Sequence, residues 1–272
     1  MLPARVLLVG CGKMGGALLQ GWLEQGLAPE GAVVVEPAFP GGPGGDEAGG
    51  PYVYAAIDDV SAGFVPEVVV LAVKPQVMDD VVPAYARFVG PETVFLSIAA
   101  GKTIGYFRAQ LGDGAAIVRA MPNTPAAVGR GMTVCCATDG VSPAQRAACD
   151  AMMRAVGEVA WVDDEGLLDP ITAVSGGGPA YVFLLIECLA QAGVDAGLPA
   201  DLAMQAARVT VAGAGELVAK SAEPAATLRQ NVTSPGGTTL EALNVLMADD
   251  GLQPLMTRAI AAATERSREL AG

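Results

Sequence analysis

The residues Gly10-Cys11-Gly12-Lys13-Met14-Gly15 stand between an apolar run over 5–9 and a helical pattern beginning at 16. In a Gly-x-Gly-x-x-Gly turn from strand to helix, the first glycine permits the tight turn and the second lets backbone approach a pyrophosphate. The third lets the helix pack closely on the strand, and the helix N-terminus offers unpaired N–H groups to the phosphates. The spacing alone is a weak signal, because any glycine-rich turn can match it; the flanking strand and helix make it specific. An acid, Glu36, ends the next strand about 20 residues on, where a carboxylate holds ribose hydroxyls. The plainer reading of Glu36 is a solvated loop carboxylate. No Lys or Arg occurs between Lys13 and Lys74, so a 2′-phosphate would meet Glu36 without a basic neighbour in sequence. These residues point to a nicotinamide or flavin dinucleotide, and among nicotinamide cofactors to NADH, with NADPH as the alternative.

Three more segments end apolar runs, at the strand edge where open α/β sheets bind ligands. They are Ala72-Val73-Lys74-Pro75, the small-residue stretch Ile98-Ala99-Ala100-Gly101, and Asn123 between Pro122 and Pro125. In the second half, Ser234-Pro235-Gly236-Gly237-Thr238-Thr239 opens a helical pattern with three hydroxyls and free N–H groups. Such an opening suits a carboxylate, although an ordinary helix cap uses the same residues. Ser175-Gly176-Gly177-Gly178-Pro179 interrupts another helical pattern. Each glycine there costs about 1 kcal/mol relative to alanine, so it serves either a ligand or close helix packing.

The absences are also informative. The 272 residues include no histidine, which removes Ser-His-Asp hydrolysis, histidine bases and most zinc or haem sites; no metal is expected. Sixteen basic against 29 acidic residues give a net charge of −13, repelling nucleic acid and anionic lipid alike. The mean hydropathy is +0.43, yet no uninterrupted apolar run approaches the ~18–20 residues that cross a bilayer. Five cysteines without Cys-x-x-Cys spacing read as reduced apolar fillers. The first residues run directly into a strand, so no signal peptide is expected. The expected compartment is the cytoplasm.

Apolar runs over 5–9, 32–35, 68–73, 93–98, 115–119 and 132–137 alternate with helical stretches, 16–24 and 77–88 among them. They predict a doubly wound, mainly parallel sheet, with a Gly/Pro-rich loop over 39–50. After 163–169 the strand signals stop, and helices are expected over 167–196, 200–220, 225–231, 239–249 and 253–270. The expectation is an α/β Rossmann-like domain over 1–165 and an all-α dimerisation and substrate-binding domain over 166–272. Helices this rich in Ala and Gly are expected to bury too little alone, and a domain-swapped or interlocked dimer is the simplest way to bury more surface.

Taken together, the motifs resemble the Δ1-pyrroline-5-carboxylate reductase family. The resemblance runs from 6 to 270 and includes Ala-Val-Lys-Pro (72–75), Met-Pro-Asn-Thr-Pro (121–125), Ser-Gly-x-Gly-Pro-Ala-Tyr (175–181) and Val-Thr-Ser-Pro-Gly-Gly-Thr-Thr (232–239). The last of these is close to a family signature. Departures are Gly177, where the family usually carries serine, and Glu36, where many relatives suit a 2′-phosphate. The resemblance implies hydride transfer from a nicotinamide to C5 of 1-pyrroline-5-carboxylate, giving L-proline. It implies that Thr239 donates to the imine nitrogen and that Ser234 and the N–H groups of Gly237, Thr238 and Thr239 hold the carboxylate. Glu165 and Asn231 would line the same pocket. Gly10, Cys11, Gly12, Lys13, Met14, Gly15, Glu36, Ala72, Val73, Lys74, Pro75, Ile98, Ala99, Ala100 and Asn123 would hold the cofactor. The resemblance further implies a dimer, with decamers as its larger assembly. A β-hydroxyacid dehydrogenase or related imine reductase shares the fingerprint and a helical second domain, and a non-catalytic nucleotide sensor would keep the fold.

Overall fold

Short runs of Val and Leu with no polar alternation must be covered on both faces. Strands β1 (Val6–Val9), β2 (Ala32–Val35), β4 (Val68–Leu71) and β5 (Val94–Ser97) are buried at every position. With β3 (Tyr52–Tyr54), β6 (Ala116–Met121), β7 (Gly131–Ala137) and β8 (Gly157–Val162) they form one sheet, in the order β3-β2-β1-β4-β5-β6-β7-β8. All neighbours are parallel except β6 and β7. This computed structural model describes residues 1–38 and 50–271, so the loop expected over 39–50 lies, as far as 49, outside the described residues.

Alternate residues of β1 feed two cores. Val6 and Leu8 pack with Leu18 and Trp22 of α1 (Lys13–Glu24) and with Cys149, Met152 and Met153. Leu7 and Val9 pack instead with Met78, Tyr85 and Phe107. Helices therefore cover both faces, as expected of a doubly wound sheet. The first core also holds a buried polar link: Trp22 Nε1 donates to Met152 O over 2.9 Å. Trp22→Phe leaves that carbonyl without its donor and should cost about 1–3 kcal/mol. Urea denaturation checks this; a midpoint equal to the parent's would give the bond no weight.

Several expected elements change on inspection. The crossover helix expected over 77–88 is one α-turn, α2 (Met78–Val81), followed by 3₁₀ turns over Val82–Phe88. Pro83 has no N–H to continue an α ladder. Helices α3 (Ile104–Leu111) and α4 (Pro143–Arg154) and strands β3 and β8 were not among the expected elements. The start of α4 is nonetheless written in the sequence, as a capping box between Ser142 and Gln145. The single helix expected over 167–196 is broken. A 3₁₀ turn (Glu165–Leu167), α5 (Leu168–Ile171) and a π-turn (Thr172–Gly176) precede α6 (Gly178–Asp195).

The chain divides into two compact units, Met1–Gly176 with Ala263–Gly272, and Gly177–Ala262. In the second, α6 and α7 (Ala200–Lys220) form a hairpin closed by Gly197, whose φ is +101°. Gly193 lets them approach closely, since a Cβ there would stand 3.2 Å from Ala203 Cβ. After them come α8 (Ala225–Asn231), α9 (Thr238–Leu246) and α10 (Leu252–Ala271). Phe183, Leu184, Val209 and Leu217 are each more than half exposed. This unit buries little of its apolar surface by itself.

Candidate functional site

The order of strands reverses at β1, with β2 on one side and β4 on the other. The carboxyl ends of β1 and β4 therefore flank a switch-point crevice, the usual ligand position in such sheets. Gly10 leaves β1 with φ +89°, and a Cβ there would stand 2.8 Å from Val73 Cγ1 and 3.0 Å from Ala72 O. A Cβ at Gly15 would collide with the carbonyl oxygen of Gly10. Both glycines are thus required by the chain's own packing. Gly12 is different: a Cβ would meet no protein atom within 4 Å, so the space beside it is open to a close approach from outside. Helix α1 starts at Lys13 with Gly12 as N-cap and has neither a side-chain cap nor a first-turn acid. Its leading N–H groups are available to an anion. The turn fits a dinucleotide pyrophosphate.

Glu36 braces this turn. Its Oε2 accepts the Cys11 N–H at 2.8 Å and its Oε1 the Ala38 N–H at 3.0 Å. Burial, and then the Glu36 carboxylate, push the Cys11 thiol up. Burial raises Cys135 to about 12 and raises Cys149 as well. These thiols stay protonated at neutral pH and offer no nucleophile. Ala72, Val73, Lys74 and Pro75 follow β4, with Lys74 exposed, while Ile98, Ala99 and Ala100 follow β5. Asn123 follows β6 and is committed internally. Its Oδ1 accepts the Met132 N–H at 2.9 Å, and its Nδ2 donates to Ser175 O and Oγ, both at 3.2 Å. In a regular helix Ser175 O would accept from residue 179, but Pro179 has no N–H. The Asn123 amide takes that place, at the end of the π-turn. Gly176 packs there against Met121, whose Cε would stand 2.5 Å from an added Cβ.

Glu165 shares one oxygen between two donors. Its Oε1 accepts from Arg119 Nη1 and from the Ile104 N–H, each at 2.8 Å. Arg119 is 4% exposed, so this carboxylate balances a buried guanidinium and completes the first turn of α3. Sequence reasoning overlooked Arg119, because an arginine inside an apolar run carries no mark of its distant partner.

In the second unit, Ser234, Thr238 and Thr239 are exposed around Gly236, whose φ is +69°. Gly237 is the N-cap of α9, which has no side-chain cap. The Gly237 N–H, expected to face a carboxylate, donates instead to Ser234 O at 3.0 Å. The tight turn consumes it, and the available first-turn donors narrow to Thr238 and Thr239. Asn231 Nδ2 donates to Glu223 Oε2 at 3.2 Å, which adds a carboxylate that sequence reasoning did not single out.

Comparison with known proteins decides the family. Residues 165–270 match the model described as pyrroline-5-carboxylate reductase dimerisation, and residues 5–101 match NADP oxidoreductase coenzyme F420-dependent. A pyrroline-5-carboxylate reductase from Synechocystis sp. is 43% identical over 265 residues, covering 97% of this chain and 97% of that protein. The chain belongs to the pyrroline-5-carboxylate reductase family. A solved pyrroline-5-carboxylate reductase from Coxiella burnetii is 33% identical with a TM-score of 0.89, covering 99% of each chain. A Plasmodium falciparum pyrroline carboxylate reductase solved with NADP bound is 28% identical with a TM-score of 0.82, covering all of both chains.

As a member of this family of NAD(P)-dependent oxidoreductases, the chain has an NAD(P)-binding α/β region followed by a helical dimerisation region. The segment Glu165–Asp195 is long and apolar enough to cross a membrane by length and composition alone. Its backbone, however, breaks into 3₁₀, α and π turns before α6, and it falls inside the dimerisation match.

Proposed function

We propose that this chain reduces the C=N bond of 1-pyrroline-5-carboxylate with a nicotinamide dinucleotide, giving L-proline. The opening of α9 carries the substrate half of this reading: two first-turn N–H groups and the hydroxyls of Ser234, Thr238 and Thr239 surround a left-handed glycine. A substrate bearing one carboxylate and one imine needs an anion cradle and a single donor to nitrogen. Ser234 and the N–H groups of Thr238 and Thr239 hold the carboxylate. The Thr239 hydroxyl hydrogen-bonds the imine nitrogen, where electron density collects during reduction. Asn231 and Glu165 are assigned to the edge of the same pocket. When bound, the dihydronicotinamide supplies the hydride that C5 accepts. The chain's own work is to hold the two carbons in register, and an imine that arrives protonated needs no histidine acid. Residues 1–165 serve as the dinucleotide-binding domain, and 166–272 serve dimerisation and substrate binding.

For the cofactor we assign Gly10, Cys11, Gly12, Lys13, Met14 and Gly15 to the pyrophosphate, and Glu36 to the adenosine ribose. Ala72, Val73, Lys74, Pro75, Ile98, Ala99, Ala100 and Asn123 form the floor toward the nicotinamide. Glu36 and the lack of any Lys or Arg from 14 to 73 favour NADH, since a 2′-phosphate beside that carboxylate is repelled. Glu36→Gln keeps an acceptor for the Cys11 N–H, removes the charge and gives up the acceptor for the exposed Ala38 N–H. It should lower the ratio of kcat/KM for NADH over NADPH by about tenfold. A ratio equal to the parent's would separate Glu36 from cofactor choice.

Apolar side chains on α6 and α7 are covered in this reading by a second copy, in dimers and in decamers built from them. Five unpaired thiols suit a reducing compartment, the cytoplasm. The test of the whole reading follows absorbance at 340 nm with pyrroline-5-carboxylate and each dinucleotide. Faster reduction of a β-ketoacid would favour the hydroxyacid dehydrogenase alternative, and nucleotide binding without turnover would favour a sensor.

A further inference from the structure

The last turns of α10 belong to the first unit, not to the helical unit in which that helix begins. Two contacts fix them there. Ser267, 5% exposed, donates from Oγ to Asp169 Oδ1 at 2.7 Å. Leu270 lies over Gly101, where an added Cβ would stand 3.2 Å from both Leu270 Cβ and Leu270 O. Gly101 has φ +73° and ends the small-residue loop 98–101 that follows β5. The next residue, Lys102, is held from a different direction: its Nζ lies 3.3 Å from Asp79 Oδ1 and 4.0 Å from the Tyr106 ring centre. The loop is thus pinned between Lys102 on one flank and the chain's C-terminal turn on the other.

We propose that the C-terminal turn of α10, through Ser267 and Leu270, is a positioning element for loop 98–101 and so sets the fit of the nicotinamide. This rests on the assignment of Ile98, Ala99 and Ala100 to the nicotinamide under the proposed function. Ile98 and Ala99 are held by the sheet and its two cores, with the Ile98 N–H on Leu71 O at 3.2 Å and the Ala99 N–H on Ser97 Oγ at 3.3 Å. The far end of the loop, at Gly101, has no side chain of its own and rests on Leu270, and small displacements at a cofactor cost binding and rate. Ser267 and Leu270 are assigned to neither reactant and act through α5 and Gly101.

The test uses the full chain with three substitutions. Ser267→Ala removes the anchor, Ser267→Thr keeps the hydroxyl, and Gly101→Ala places a methyl group against Leu270. Hydrogen exchange, which requires no turnover, should show faster exchange over 98–104 in Ser267→Ala and parent-like exchange in Ser267→Thr. The KM for the dinucleotide should rise about threefold to tenfold in Ser267→Ala and recover in Ser267→Thr, with the KM for the imine unchanged. Gly101→Ala should show the same KM split. Unchanged exchange in Ser267→Ala overturns the clamp itself. Faster exchange with unchanged dinucleotide KM, or a lowered Tm with no KM split, overturns its role in positioning. A parent protein that reduces no imine defeats the proposed function instead, while the exchange result still judges the clamp.

Discussion

Glu165→Ala is expected to destabilise the protein by about 3–5 kcal/mol, the usual consequence of leaving one buried partner of an ion pair uncompensated. Arg119 is 4% exposed, and its Nη1 lies 2.8 Å from Glu165 Oε1. The same substitution takes the acceptor from the Ile104 N–H at the start of α3. Glu165→Gln retains an oxygen for both donors and loses only the charge, so its cost should be clearly smaller. Urea denaturation of the parent and both variants gives the comparison. The family resemblance assigns Glu165 to the substrate pocket, and the geometry makes it a structural counter-ion as well. If Glu165→Ala unfolded at the parent's midpoint while kcat/KM fell, the carboxylate would serve substrate alone.

Thr239→Ala should lower kcat by about tenfold or more, equivalent to ~1.4 kcal/mol of transition-state stabilisation. The expectation follows from position. Thr239 is exposed in the first turn of α9, beside the free N–H groups that suit a carboxylate. A hydroxyl that donates to the imine nitrogen gains most as that nitrogen takes up electron density, so the loss should appear in kcat more than in KM. Thr239→Ser should retain most of the activity, since the hydroxyl remains. Thr238→Ala should act mainly on the KM for the imine. Steady-state kinetics separate these outcomes, and an unchanged kcat in Thr239→Ala removes the assigned role.

Much of the architecture was written locally. Continuous Val and Leu runs gave the buried strands, and Gly10 and Gly15 marked the tight strand-to-helix turn, because a steric requirement leaves its mark at the residue that meets it. Other elements went unread although they left a mark: α4 opens on a capping box and buries Cys149, Met152 and Met153 on one face. Strand β8 directly precedes the change in composition at 163. The unbroken helix expected over 167–196 is interrupted just before α6, where Pro179 has no N–H for Ser175 O and Asn123, 52 positions away, donates to it instead.

The sequence by itself therefore determined a glycine-rich strand-to-helix turn, a helix opening rich in hydroxyls and the family that combines them. Each of these is a property of a few adjacent residues. Only the tertiary structure decided which polar groups are already committed. Glu36, expected to face ribose hydroxyls, also braces the turn through the Cys11 N–H, Asn123 donates to Ser175, and Gly237 spends its N–H on Ser234. Glu165 neutralises Arg119 across 46 positions, and Ser267 reaches Asp169 across 98. A hydrogen bond depends on distance in space, and sequence spacing carries no record of that distance once the chain has folded back on itself.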